Sequence, residues 1–257
     1  MPRFAANLSM LFTELPFLER FGAAARAGFQ GVEYLFPYAF NKDELAEQLE
    51  RHRLVQVLHN LPAGNWEGGE RGIACHPDRV AEFRDGVGRA IEYATTLGCT
   101  QINCLAGIAP AGVSPELLRY TLLSNLRYAA GQLQEAGIRL LIEPINTFDI
   151  PGFYLSRTAQ AADILDEVGA DNLFIQYDIY HAQRMEGELA ATVARHLPRI
   201  AHIQLADNPG RHEPGSGEIN YPWLLRHIDG LGYTGWVGCE YKPATTTAEG
   251  LGWLDAF

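Results

Sequence analysis

The chain has 257 residues, 47% hydrophobic and 20% charged, with 31 acidic against 20 basic side chains and a formal net charge of −11. That balance argues against a nucleic-acid partner, because phosphate recognition generally needs a basic stripe and no Lys or Arg cluster is present. No run approaches the roughly 18 to 20 apolar residues of a membrane span. Met1-Pro2-Arg3-Phe4-Ala5-Ala6-Asn7 lacks the apolar segment of a secretory signal, so a cytoplasmic location is expected.

Strand-like and helix-like stretches alternate along the whole sequence. Strands are predicted near residues 4 to 8, 31 to 35, 54 to 59, 100 to 105, 139 to 144, 173 to 178, 201 to 206 and 235 to 241. Amphipathic segments fall between them, among them Pro16 to Ala27, Asp43 to His52, Asp78 to Leu97 and Pro115 to Glu135, where apolar residues recur at three- and four-residue spacing. Pro77-Asp78 and Ser114-Pro115 fit helix starts, and Gly28, Gly98 and Gly137 fit helix stops. Eight consecutive βα repeats without a linker predict one α/β domain over residues 1–257, a closed (β/α)8 TIM barrel, since such barrels run to about 250 residues. The long irregular piece from Leu61 to Cys75 follows the third strand and would lie over the barrel mouth as a candidate lid. Cys75, Cys99, Cys104 and Cys239 form no CxxC pair and have no zinc-like spacing, so they are expected to be reduced, buried thiols.

The chemistry concentrates in four segments of the second half. Leu140-Leu141-Ile142-Glu143, Phe174-Ile175-Gln176-Tyr177-Asp178, Ala201-His202-Ile203-Gln204 and Trp236-Val237-Gly238-Cys239-Glu240 each end an apolar run on an oxygen-bearing side chain. In a barrel the carboxyl ends of the strands converge on one face, so Glu143, Asp178, Gln204 and Glu240 could meet around one hard divalent ion. Each taken singly could equally be a satisfied rim residue. Together they leave three carboxylates with few cations nearby in sequence, which favours a metal. His181 lies three residues beyond Asp178, and His59 ends the third strand; both are candidate substrate groups. His202 reads as a structural histidine, and His52, His196 and His227 as helix-face residues.

Ile142-Glu143-Pro144-Ile145-Asn146, Gln176-Tyr177-Asp178-Ile179-Tyr180-His181, Ile203-Gln204-Leu205-Ala206-Asp207-Asn208-Pro209, Gly215-Ser216-Gly217-Glu218-Ile219-Asn220-Tyr221 and Gly238-Cys239-Glu240-Tyr241-Lys242-Pro243 closely resemble the hydroxypyruvate isomerase family. That family is one of the xylose isomerase-like barrels, with the 2-oxotetronate isomerases as a near branch. The resemblance runs from Phe4 to the C-terminus. It implies a divalent metal, Mg2+ or Mn2+, on Glu143, Asp178, Gln204 and Glu240, with the two glutamates handling protons. Gln204 departs from the wider superfamily, whose epimerases usually have His there, and so leans away from epimerase specificity.

The expected reaction interconverts hydroxypyruvate and tartronate semialdehyde by proton transfer through an enediolate, in glyoxylate metabolism. A 2-oxotetronate isomerase or ketose 3-epimerase on the same site is the alternative. The substrate is then a small hydroxy-oxo acid, whose carboxylate needs a local cation; Arg71 and Lys242 are the first candidates, with Arg211 behind them. An endonuclease IV-like activity would need a histidine-rich multi-metal site and a basic groove, and neither is evident. The outer helices offer faces for a homo-oligomer, but the sequence selects none.

Overall fold

In the computed structural model, which describes residues 2–257, eight parallel strands close into a barrel in the order of the sequence. They are β1 (Arg3–Asn7), β2 (Gly31–Glu33), β3 (Val55–Asn60), β4 (Gln101–Cys104), β5 (Arg139–Ile142), β6 (Leu173–Asp178), β7 (Ile200–Leu205) and β8 (Trp236–Cys239). The barrel closes where β1 pairs with β8 from Arg3↔Trp236 to Ala6↔Cys239. All eight predicted strands are present, within a few residues of their expected bounds.

The helices are α1 (Phe17–Arg26), α2 (Lys42–His52), α3 (Val80–Leu97), α4 (Pro115–Glu135), α5 (Thr158–Val168), α6 (Ile179–Met185), α7 (Leu189–His196) and α8 (Tyr221–Gly230). Their distribution differs from one per strand. The β6–β7 connection holds both α6 and α7, and β8 is followed by a 3-10 segment, Glu249–Ala256. Local chemistry sets the ends. Ser114 caps α4 by accepting from the Leu117 N–H at 3.2 Å, with Pro115 in the first turn. Gly98 ends α3 in the left-handed region at φ 64°, where a Cβ is disfavoured. None of the described helices is long and apolar enough to cross a membrane.

Strand alternation separates an apolar layer against the helices from the barrel interior, which is polar around Glu33, and a second small apolar cluster of Ala5, Val57, Leu58, Leu141 and Ala201 lies apart from the main one. Ala6, Val32, Ile102, Ile142, Ile203 and Val237 belong to the main apolar cluster. Their neighbours Asn7, Glu33, Gln101, Asn103, Gln176, Asp178, His202 and Gln204 are all buried polar groups. Hydrogen bonds offset their desolvation: Glu33 accepts from Gln204 Nε2 at 2.7 Å and Asn7 Nδ2 at 3.0 Å and faces His202 Nε2 at 2.7 Å. Gly238 makes room for this group, because a Cβ there would lie 2.4 Å from the Glu33 carboxylate.

Candidate active site

The four expected oxygen donors sit at the carboxyl end of the barrel. Glu143 directly follows β5, Asp178 ends β6, Gln204 is the penultimate residue of β7 and Glu240 directly follows β8. Pro144 stops the β5 ladder just after Glu143, since it has no N–H and keeps the preceding residue extended. Asp178 passes from strand to helix without a loop: its Oδ1 accepts from the Tyr180 N–H at 2.7 Å and the His181 N–H at 3.2 Å, capping α6.

Of these, Glu143 and Glu240 line a cavity of about 520 Å³ together with His181 and Arg211, with Arg71 and Lys242 also facing it, whereas Asp178 and Gln204 are not part of its wall. Glu143 Oε2 accepts from Asn103 Nδ2 at 3.0 Å. Glu240 pairs through Oε2 with Arg211 and accepts from Asn7 Nδ2 at 3.4 Å. Arg211 also lies 3.7 Å from Asp178 Oδ2. It is delivered by the β7–α8 loop, which Asp207 organises by accepting the N–H groups of Asn208, Gly215 and Ile219 at 2.9, 2.8 and 3.1 Å.

One guanidinium does not neutralise three carboxylates. Burial, then Glu240 and Asp178, raise the Glu143 carboxyl well above its ordinary range. Burial pushes Glu240 up to about 8 against the lowering effect of Arg211. Burial opposes the charge on Arg211, but Glu240, Asp178 and Glu143 together hold it firmly cationic. Asp178 Oδ2 is buried without a hydrogen-bond partner. An orphaned carboxylate oxygen among other buried carboxylates fits a hard divalent cation, which would supply the missing positive charge. Candidate ligand atoms of Glu143, Asp178 and His181 all lie within 4.8 Å of one another. Gln204 is already engaged, accepting from Gln176 Nε2 at 2.6 Å and donating to Glu33 at 2.7 Å, which leaves its oxygen one further acceptor direction.

The other expected residues divide. His181 is brought to the cavity, fully buried, and burial pushes its pKa down to about 4. Arg71 lines the mouth from the Leu61 to Cys75 loop, its guanidinium 4.2 Å over the Trp66 ring and donating to the Trp66 and Glu70 carbonyls. Lys242 is exposed at the rim. His59 is placed elsewhere. It is fully buried, its ring 6.1 Å from that of Tyr38, and neither ring nitrogen has a hydrogen-bond partner. Alternation along β3 puts Asn60 in the cavity wall and turns His59 toward the helices. Burial lowers its pKa to about 4, so the ring is neutral in the core, and it does not line the cavity that holds the other candidate substrate groups.

Several site residues had no role in the sequence reading. Asn7 and Asn103 hold the two glutamates, and Asn146 and Asp149 build the wall beside His181. For Asn7 and Asn103 the available signal was a polar residue next to apolar Ala6 and Ile102 in a strand, which alternation turns into the interior; Asn146 and Asp149 lie in a loop, where no such signal exists.

Comparisons with known proteins agree with this architecture. The family model described as a xylose isomerase-like TIM barrel matches residues 21–257. The chain is 58% identical to hydroxypyruvate isomerase of Escherichia coli K12 over the full length of both, and 49% identical to a 2-oxo-tetronate isomerase of Cupriavidus necator, covering all of this chain and 99% of that one. A crystal structure described as AP endonuclease, family 2, from Brucella melitensis superposes with a TM-score of 0.98 at 46% identity, covering 100% of this chain and 99% of that one. The chain therefore belongs to the xylose isomerase-like TIM barrel family and, within it, to the hydroxypyruvate isomerase family.

Proposed function

We propose that this chain interconverts hydroxypyruvate and tartronate semialdehyde by moving protons between adjacent substrate atoms through an enediolate. The observation that carries this reading is the pair of buried glutamates, Glu143 and Glu240, each directly following a strand and both facing one cavity. Glu143 and Glu240, following strands separated by β6 and β7, would flank the substrate, one removing the carbon-bound proton and the other supporting its return to the adjacent carbon, while the oxygen-bound proton passes from the hydroxyl to the former carbonyl oxygen. Asn103 and Asn7 hold them in place.

Glu143, Asp178, Gln204 and Glu240 would hold the divalent ion, Mg2+ or Mn2+, and when bound it would act as a Lewis acid toward two adjacent substrate oxygens. Arg71 and Lys242 at the mouth would attract and orient the substrate carboxylate. The Leu61 to Cys75 loop, through Trp66 and Arg71, would shield the reacting atoms from water. The four buried free cysteines accord with a reducing compartment such as the cytoplasm.

The test is turnover of hydroxypyruvate by the wild type, Glu143→Gln and Glu240→Gln, with folding checked by circular dichroism. Each variant should lose roughly 10²-fold to 10⁴-fold in kcat with the fold retained; near-normal turnover in either removes that glutamate from proton transfer. A cavity of about 520 Å³ also leaves room for a fourth carbon, so a 2-oxotetronate is the second substrate reading. A panel of three- and four-carbon hydroxy-oxo acids alongside ketoses ranks the two by kcat/KM. The charge of −11 supports a small-molecule substrate over DNA, and cleavage of a duplex bearing an abasic site would reverse that assignment.

A further inference from the structure

Asn146, at the end of the Glu143-Pro144-Ile145-Asn146 segment, has its amide orientation fixed from both sides. Its Oδ1 accepts from the backbone N–H groups of Phe148 at 3.1 Å and Asp149 at 2.8 Å. Its Nδ2 donates to Asp149 Oδ2 at 3.0 Å and lies 2.7 Å from His181 Nδ1. Turning the amide over would set oxygen against a carboxylate and N–H groups against NH2, losing the bonds on both sides.

An amide NH2 has hydrogens and no lone pair to offer, so the ring nitrogen it meets must be an acceptor. Nδ1 of His181 therefore carries the lone pair, and in the neutral ring the proton sits on Nε2. Nε2 faces the cavity, 3.7 Å from Asp178 Oδ2 and 3.9 Å from Glu143 Oε1, beyond hydrogen-bond reach of either. A nitrogen bearing a hydrogen cannot donate a lone pair to a cation.

We propose that Asn146 is a positioning residue that locks His181 as the Nε2–H tautomer, so that the imidazole offers a hydrogen bond to a substrate oxygen and is withheld from the divalent ion. Of the three side chains at ligand spacing, Glu143 and Asp178 are then available to the ion and His181 is not, and the remaining donors are Gln204 and Glu240. The oxygen-only donor set suits Mg2+ or Mn2+ over a nitrogen-seeking ion. The donor role toward substrate rests on the isomerase reading; the tautomer does not.

The experiment is NMR of the full chain labelled with 15N-histidine, with the His181 signals assigned from their loss in His181→Gln, alongside calorimetric titration of chelator-treated protein with Mg2+ and Zn2+. His181 should show a pyrrole-like Nε2 and a pyridine-like Nδ1. His181→Gln, which keeps an N–H near the Nε2 position, should bind Mg2+ nearly as the wild type does and retain more turnover than His181→Ala. Asn146→Ala should lower kcat by roughly 10-fold to 100-fold, the range for residues that orient a working group, without weakening Mg2+ binding. Asn146→Asp, which replaces the donor by an acceptor, should move the proton to Nδ1 and raise the affinity for Zn2+ relative to Mg2+. A wild-type Nδ1–H tautomer, or a tenfold or greater loss of Mg2+ affinity in His181→Gln, would overturn the proposal. A spectrum with Nε2–H from a protein that does not isomerise hydroxypyruvate would uphold the tautomer and remove only the substrate assignment.

Discussion

Arg71, Lys242 and Arg211 all face the cavity, yet they are placed to do different things. Arg211 is committed to Glu240 and lies near Asp178, so its removal raises the mutual repulsion of the buried carboxylates. Arg71 and Lys242 form no ion pair among the described residues and face the mouth. Arg71→Ala and Lys242→Ala should therefore raise KM for the acid substrate by roughly tenfold to hundredfold, while a neutral ketose is affected little, because a hydrogen bond to a charged group contributes about 1.5–3 kcal/mol. Steady-state kinetics on the two substrates decide this; equal weakening of both takes carboxylate recognition away from these residues. Arg211→Ala should instead lower kcat as well as raising KM, since it disturbs Glu240 directly.

At the scale of elements, the strands carry the site and the polar interior carries the strands. Gly238 of β8 lies against Glu33, and Gly238→Ala would place a Cβ 2.4 Å from its oxygens. Displacing a fully buried carboxylate that accepts from Gln204 and Asn7 should cost at least ~1–3 kcal/mol in a denaturant titration; an unchanged midpoint shows that β8 has room. Ser114→Ala, which removes the α4 cap, should cost about 1 kcal/mol in the same assay without touching activity.

The elements were legible because period and punctuation agreed: Ser114-Pro115 opened α4 and Gly98 closed α3 as expected. The expected oxygen donors were legible because they end apolar runs. His59 was misplaced because a strand end alone does not say which face a residue takes, and a single step along β3 separates Asn60 at the mouth from His59 in the core. Asn146 and Arg211 were given no role, or a minor one, because loop geometry delivers them. That geometry depends on backbone hydrogen bonds, such as those gathered by Asp207, which leave little trace in periodicity.

At the scale of the whole molecule, the buried carboxylates tie stability to pH and to the ion. Glu240 has an ordinary value of 4.5 and is raised to about 8 in the fold, and Glu143 is raised in the same direction. Between these limits the metal-free folded state holds protons that the unfolded chain has released. Their contribution is thus complete below about 4.5 and is lost as pH rises through about 8. His59 and His181 run the other way: kept neutral by burial, they contribute stability that is present above 6.5 and lost as pH falls through about 4. A divalent ion that replaces the protons on the glutamates should raise Tm by an increment that grows between pH 6 and pH 8. Thermal melts of chelator-treated protein with and without Mg2+ measure it, and an increment independent of pH would contradict the assignment of those carboxylates to the ion.

The most direct measurement of the central claim is a crystal structure of the protein soaked with Mn2+ and a three-carbon hydroxy-oxo acid, with the ion located by its anomalous signal. One ion is expected, held by oxygens of Glu143, Asp178, Gln204 and Glu240, with two adjacent substrate oxygens on it and the substrate carboxylate toward Arg71 or Lys242. An ion bound through His181 Nε2, or one found away from these four side chains, would contradict it.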